Sequence, residues 1–418
     1  MNPTIAINRI ESLDVVRGFA LLGILLLNIL GFALPGHLYL SPLDTAGSNL
    51  DLAVWAFFDI GAEGAMRCLF SMLFGAGIAL FLEPSSARSG KLHYKRTFWL
   101  MIFGLVDVYV LMWTGDVLFV YALAGFVLYW VRHVRASRLM VAAIVLIMLM
   151  SLQNAALRFG LEQAREAAQV EQSEASPQIL DAAQMWIDFE SDNSPSEENI
   201  AAELAARTSS YASVFDDTVD GFYATLVFVI PVTLFWDALA MMLLGMSLYK
   251  FGILQGDRSI IFYRNLMLAG FFVGLSVNMQ EAYTAYASGF DLLATFPYGQ
   301  WTYHIGRLGM AIGWFGLLML AIKYDVVAEL RRRLAAVGRM ALTNYLSHSF
   351  ICLLLFTGAG LGLAGNFARS ELYLFVFTIW AFQLWLSPWW LGRYHYGPVE
   401  WVWRGLTYGR FLDNGKTP

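Results

Sequence analysis

Ionisable side chains inside apolar runs carry most of the chemical information here, because a charge in hydrocarbon costs at least about 2.5–3.5 kcal/mol and so seeks a partner or a wet cavity. Asp59, Glu63 and Arg67 follow one another at intervals of four. One unbroken helix would carry them on a single face as an ion-pair stripe, with glutamate before arginine in the favourable order. Tyr303, His304 and Arg307 open a second apolar stretch, where Arg307 has no acid at helical spacing. Asn28 stands about 16 Å along a helix from Arg17, and His37 follows soon after. Side chains from these three stretches are expected to meet in the outer half of a membrane. Arg67 and Arg307 would then form a site for a carboxylate, a phosphate or an acyl-donor head group. A plainer alternative stays open, in which Glu63 and Arg67 neutralise each other and only fasten helices.

Other polar residues say less. Asp107 and Asp237 fall near the middle of their stretches, where a carboxylate relays protons, binds a cation, caps a kink or pairs with a distant arginine. Asn344 and His348 share a helical face as packing groups. His93, His133 and His395 are expected at the cytoplasmic edge among head groups. The six histidines show no metal-ligand spacing, and Cys68 and Cys352 read as small buried hydrophobes. The run Leu73-Phe74-Gly75-Ala76-Gly77 reads as a surface for close helix packing, not a phosphate loop.

The elements that position these groups must be membrane helices. Of 418 residues, 58% are hydrophobic and 14% charged, and mean hydropathy is +0.57, against about 25% charged in soluble domains. A soluble fold is excluded, and a net charge of −5 leaves no basic stripe for nucleic acid. Ten apolar stretches are long enough to cross: 13–34, 52–82, 97–113, 116–132, 138–157, 221–249, 264–280, 301–323, 339–358 and 371–391. The first lacks the short core and cleavage site of a signal peptide. Alternate connections collect twenty-one lysines and arginines on one side and four on the other, which sets both termini in the cytoplasm.

The fold expected is all-α and polytopic, with an N-terminal five-helix half at 1–157, an acidic extracytoplasmic segment at 158–220, and a C-terminal half at 221–418 ending in an interfacial tail. The acidic segment reads as a helical cap or a solvated spacer, with a helix start at Ser194-Pro195-Ser196-Glu197 and Pro195 at its first position. Stretch 52–82 would span about 46 Å as one helix, so it must break, tilt or protrude, with Gly61 and Gly64 as candidates. Pro231 should kink stretch 221–249. Expected partners are the lipid bilayer and a small-molecule substrate, with a homo-oligomer left open.

Five motifs in order resemble the YeiB-like family of bacterial inner-membrane proteins, a family of unknown function sometimes described as transport-associated. They are Leu13-Asp14-Val15-Val16-Arg17-Gly18 through Asn28, Leu69-Phe70-Ser71-Met72-Leu73-Phe74-Gly75-Ala76-Gly77, Gly115-Asp116-Val117-Leu118, Gly338-Arg339-Met340-Ala341-Leu342-Thr343-Asn344-Tyr345-Leu346, and Gly397-Pro398-Val399-Glu400-Trp401-Val402-Trp403-Arg404. The opening also resembles, more distantly, the heparan-glucosaminide acetyltransferase group. That likeness implies transfer of an acyl group from cytosolic acyl-CoA to an extracytoplasmic acceptor, with Asn28 and His37 in the active site; the chemistry of acyl transfer would use His37 as base, Asn28 as oxyanion donor, and Arg17, Arg96 or Arg339 at the donor's mouth. The wider membrane acyltransferase group often has an arginine, ten residues and then a histidine; here Arg17 is followed by ten residues and then Asn28, which cannot act as a general base. The alternative function is transport of a small anionic or zwitterionic solute, and a third is a non-catalytic membrane partner or sensor.

Overall fold

The structure, a computed structural model, describes residues 10–39, 48–83, 90–171, 176–411 and 413–416. Arg9 and Arg88, counted among the basic residues above, lie outside these. The all-α expectation holds, with no strand among the described residues. In chain order the helices are α1 (Glu11–Ala33), α2 (Asn49–Ala62), α3 (Ala65–Phe81), α4 (Gly90–Tyr109), α5 (Leu118–Leu128), α6 (Ala136–Ala167), α7 (Pro177–Asn193), α8 (Glu197–Ser209) and α9 (Tyr211–Ala224). There follow α10 (Phe235–Lys250), α11 (Ile260–Ala287), α12 (Leu292–Thr295), α13 (Tyr303–Lys323), α14 (Ala328–Arg339), α15 (Ala341–Phe356), α16 (Arg369–Arg393) and α17 (Pro398–Tyr408).

Each of the ten apolar stretches contains a helix. Seven helical segments among the described residues are long and apolar enough to cross a membrane: α1, α2 with α3, α6, α9 through α10, α11, α13 and α16. α5 and α15 are shorter apolar helices.

Burial sorts the helices. α1 is enclosed on nearly every side, with Leu21, Leu25 and Ile29 fully buried. α6 and α11 instead present Met148, Leu152, Phe159, Leu268 and Phe272 outward, which suits lipid contact and no aqueous surface. Close helix crossings rest on glycine. A Cβ on Gly18 would lie 2.0 Å from the Leu334 carbonyl oxygen, and one on Gly338 would lie 2.0 Å from that of Asp14. The same holds for Gly75 and Gly245 where α3 crosses α10. Without a hydrophobic drive between helices in lipid, such backbone approach supplies the dispersion contact that holds them.

Pro231 does not bend a regular helix; it sits inside a π-helical stretch, Thr225–Leu234, that joins α9 to α10. The wider turn removes the clash between the proline ring and the preceding turn, and Trp236 Nε1 donates to the Pro231 carbonyl at 2.9 Å.

The described part of the acidic segment is helical. Its α8 starts two residues later than expected: Ser196 is the N-cap, with its Oγ accepting from the Asn199 amide at 3.3 Å, and Pro195 precedes the cap. Arg207 on α8 donates to the Leu34 carbonyl at 2.8 Å and the Gly31 carbonyl at 3.4 Å, both at the open end of α1. Glu203 accepts from the Gly36 amide at 3.2 Å. Orphan groups at a helix end are thereby satisfied by a neighbour in place of water.

At the opposite, arginine-rich end, α17 folds back onto the bundle. Trp403 Nε1 donates to the Arg96 carbonyl at 2.9 Å, and the Arg96 guanidinium lies 4.5 Å from the Trp403 ring centre. Glu400 caps α15, accepting from the Leu342 amide at 2.7 Å, the Thr343 amide at 3.1 Å and the Thr343 hydroxyl at 2.5 Å. Glu400→Ala leaves these donors without an acceptor and is expected to lower stability by about 1–3 kcal/mol, with Glu400→Gln milder. Thermal unfolding in detergent measures both. His93 departs from expectation: it is 1% exposed, its Nε2 lies 2.9 Å from the Gly125 carbonyl, and its ring stacks on Tyr129, so it packs α4 on α5 and meets no head group.

Candidate functional site

The site is built where the overlong second stretch breaks. α2 stops at Ala62, Glu63 is its C-cap, and Gly64 adopts φ +63° before α3 begins at Ala65. Glycine is required there for two reasons. The left-handed backbone disfavours a side chain, and a Cβ would lie 2.8 Å from Arg307 Cδ and 3.0 Å from Tyr303 Oη. Of the two candidate glycines the break chose Gly64, while Gly61 stays helical and its carbonyl accepts from Trp314 Nε1 at 2.8 Å.

The break corrects the expected stripe. Glu63 and Arg67 form no ion pair with each other among the described residues. Glu63 accepts from the hydroxyls of Tyr39 and Tyr303, each at 3.1 Å. Arg67 Nη2 donates to Tyr303 Oη at 3.1 Å, and its Nε lies 3.6 Å from Asp237 Oδ2. Tyr303 therefore links the two charges by donating to one and accepting from the other. Burial and the Glu63 carboxylate both hold the Tyr39 hydroxyl well above its ordinary pKa of 10, which keeps it a donor.

Arg307 also has a partner that spacing could not show. Its guanidinium, 1% exposed, makes a two-pronged pair with Asp237 of α10, through Nη1 to Oδ2 at 2.9 Å and through Nη2 to Oδ1. Nη2 additionally reaches His304 Nδ1 at 2.7 Å. The guanidinium can only donate, so Nδ1 accepts and the His304 proton sits on Nε2, which has no partner among the described residues. Asp237 thus serves Arg307 and Arg67 together. With Glu63, this makes a charge-balanced floor of two acids and two bases from α2, α3, α10 and α13.

Above the floor lies a cleft with two lobes. One, of about 550 Å³, is lined by Asp59, Glu63, Asn278, Glu281, Gln300 and Arg307, among others. The other, of about 410 Å³, is lined by Leu27, Leu30, Tyr39, Phe58, Arg369 and Tyr373. Trp55, Asp59, Glu63, Thr295 and Pro297 border both, so the lobes adjoin across α2. Their rim is raised because α11 runs about 13 Å beyond Asn278, which lies level with Gly306, before the chain returns through α12 and the turn Pro297–Gly299.

Three of the expected residues stay outside this assembly. Arg17 pairs with Asp14 at 2.9 Å at the arginine-rich end. Asn28 is half-buried on α1, and His37 occupies the short turn Gly36–Tyr39 with its Nδ1 unpartnered among the described residues. Neither borders either lobe. Asp107 sits in the last turn of α4, fully buried, and so lies near a helix end and away from mid-helix. His348 Nε2 lies 2.9 Å from Gln383 Oε1, and Asn344 Nδ2 donates to Ser387 at 3.1 Å, a polar ladder between α15 and α16.

Sequence reasoning missed Arg369. It is the first residue of α16, counted only as one of four charges on the sparsely basic side, yet it is 2% exposed and lines the second lobe. Its Nη2 donates to the Leu38 and Tyr39 carbonyls. The signal was available: an arginine on the depleted side, at the mouth of an apolar stretch, needs a reason to be there.

The family described as "Protein of unknown function (DUF418)" matches residues 248–410. Across nearly its whole length the chain is similar to three curated proteins, each described as uncharacterized. It is 30% identical to YeiB of Escherichia coli (strain K12) over 406 residues, covering 95% of each chain. It is 27% identical to YxaH of Bacillus subtilis (strain 168), covering 98% of this chain and 96% of that one. It is 26% identical to a 39.9 kDa protein of Bacillus acidopullulyticus encoded in an amylase 3′ region, covering 98% and 97%. No solved structure matches.

Proposed function

We propose that this chain, which belongs to the YeiB-like family, is a ten-span protein of the cytoplasmic membrane that binds a small zwitterionic solute in the two-lobed cleft and carries it across. The charge bias of its connections supports a topology with both termini in the cytoplasm and the cleft open to the outside. The observation that carries this reading is the helix break at Gly64, which sets a charge-balanced floor beneath the cleft. Broken helices inside a membrane are tolerated where they line a cavity, and solute sites of carriers occur at such breaks.

The charges favour a zwitterion over an anion. Asp237 already neutralises Arg307, which removes the motive for binding a simple anion there, while Asp59, Glu63 and Glu281 face the cleft. Release to the other side would require Arg67 or Arg307 to exchange Asp237 for another partner, with the Gly64 break as the hinge. The acyl-transfer alternative would route acyl-CoA to Asn28 and His37. Both lie off the cleft, so no feature of this site favours that reading.

Uptake into liposomes carrying the purified protein tests the proposal, using labelled glycine, phenylalanine, glycine betaine and taurine. Saturable, protein-dependent accumulation of at least one is expected. No accumulation of any, together with saturable acetyl-CoA binding, would overturn transport in favour of acyl transfer.

A further inference from the structure

We infer that the second lobe is the ligand-recognition half of the cleft, with Asp59 taking the ammonium and Arg369 the carboxylate of an α-amino acid that has an apolar side chain. The inference rests on the solute-binding reading above and narrows it to a substrate class.

Two opposite charges line this lobe without meeting. Asp59 has no hydrogen bond or ion pair among the described residues, although the chain holds it beside Glu63 and Trp55 at the junction of the lobes. Among the described residues Arg369 has no acid within 4.0 Å, and its buried Nε has no partner. Its contacts are the two backbone carbonyls of Leu38 and Tyr39, which carry only partial charge. A carboxylate and a guanidinium in an apolar surround ordinarily close on each other or on another ion. Here they are anchored on different helices, Asp59 on α2 and Arg369 at the start of α16, and face one cavity from separate walls. A ligand with both charges a few ångströms apart completes the pair, and neither a simple cation nor a simple anion does.

The remaining wall specifies the rest of the ligand. Phe58 and Tyr373 stack with ring centres 4.2 Å apart, and Leu27 and Leu30 of α1 line the same lobe. An apolar side chain buried there gains contact that water could not supply, while glycine would leave the surface wet.

Calorimetric titration of the purified protein in detergent tests this with L-phenylalanine, glycine, phenethylamine and 3-phenylpropionate. L-Phenylalanine is expected to bind at least about tenfold more tightly than glycine. Asp59→Asn is expected to weaken L-phenylalanine and phenethylamine by about tenfold or more while leaving 3-phenylpropionate unchanged. Arg369→Gln should give the mirror pattern. Because Arg369 also holds two carbonyls, Arg369→Lys, which keeps the charge, and the unfolding temperature of each variant separate lost recognition from lost structure. Equal affinity for glycine and phenylalanine, or the same loss for all ligands in both variants, overturns the inference. Transport of taurine or glycine betaine without binding of phenylalanine would sink it and leave the solute reading standing; no response to any zwitterion would sink both.

Discussion

Asp237→Ala is expected to destabilise the protein by about 3–5 kcal/mol, the usual cost of leaving a buried charge without its partner. Two guanidiniums lose their carboxylate at once, since Asp237 faces both Arg307 and Arg67. Arg307→Ala should cost less, because Asp237 keeps Arg67 at 3.6 Å. Arg307→Met combined with Asp237→Leu should recover part of the loss and no more, since Arg67 is then left with Tyr303 alone. Thermal unfolding in detergent, supported by retention on a sizing column, ranks the variants. If Arg307→Ala proves as damaging as Asp237→Ala, then Asp237 is not shared and the floor is a simple pair.

The second large effect concerns the crossing that sets this floor's geometry. α3 carries Arg67 and α10 carries Asp237, and the two helices meet at Gly75 and Gly245. A Cβ on Gly75 would lie 2.1 Å from the Met242 carbonyl oxygen, and one on Gly245 would lie 1.9 Å from that of Met72. These are backbone atoms and cannot rotate away, so alanine at either position must push the helices apart. Gly75→Ala and Gly245→Ala are each expected to cost about 1–3 kcal/mol or more and to impair solute binding by separating Arg67 from Asp237. Gly77, two residues along the same helix, has nothing within 4 Å of its would-be Cβ. Gly77→Ala should therefore be neutral or stabilising, by up to about 1 kcal/mol, from helix propensity alone. A stability loss at Gly77 matching that at Gly75 would mean the cost is not steric contact across the crossing.

The sequence by itself determined the class and the ingredients. Length and spacing of apolar residues fix where helices run, because each backbone polar group in lipid must be satisfied within its own segment. Thus every expected stretch contains a helix, from α1 to α16. The cost of charge in hydrocarbon likewise marked Glu63, Arg67, Asp237, His304 and Arg307 as informative before any of them had a neighbour. The Gly75 crossing was legible for the same reason, since small residues in an apolar helix have few other uses.

Partnership was decided only in three dimensions. Arg307 and Asp237 are seventy residues apart, and no periodicity relates α13 to α10. Glu63 and Arg67, four apart, looked like a pair, but one left-handed glycine between them turned the chain and gave each a tyrosine instead. Arg369 reads as a loop charge until α1, α2 and α16 close around it. Helical spacing is a rule about one segment, whereas a membrane cavity is bounded by several. Which side chains share its walls therefore depends on crossing angles and breaks that a single glycine can reset.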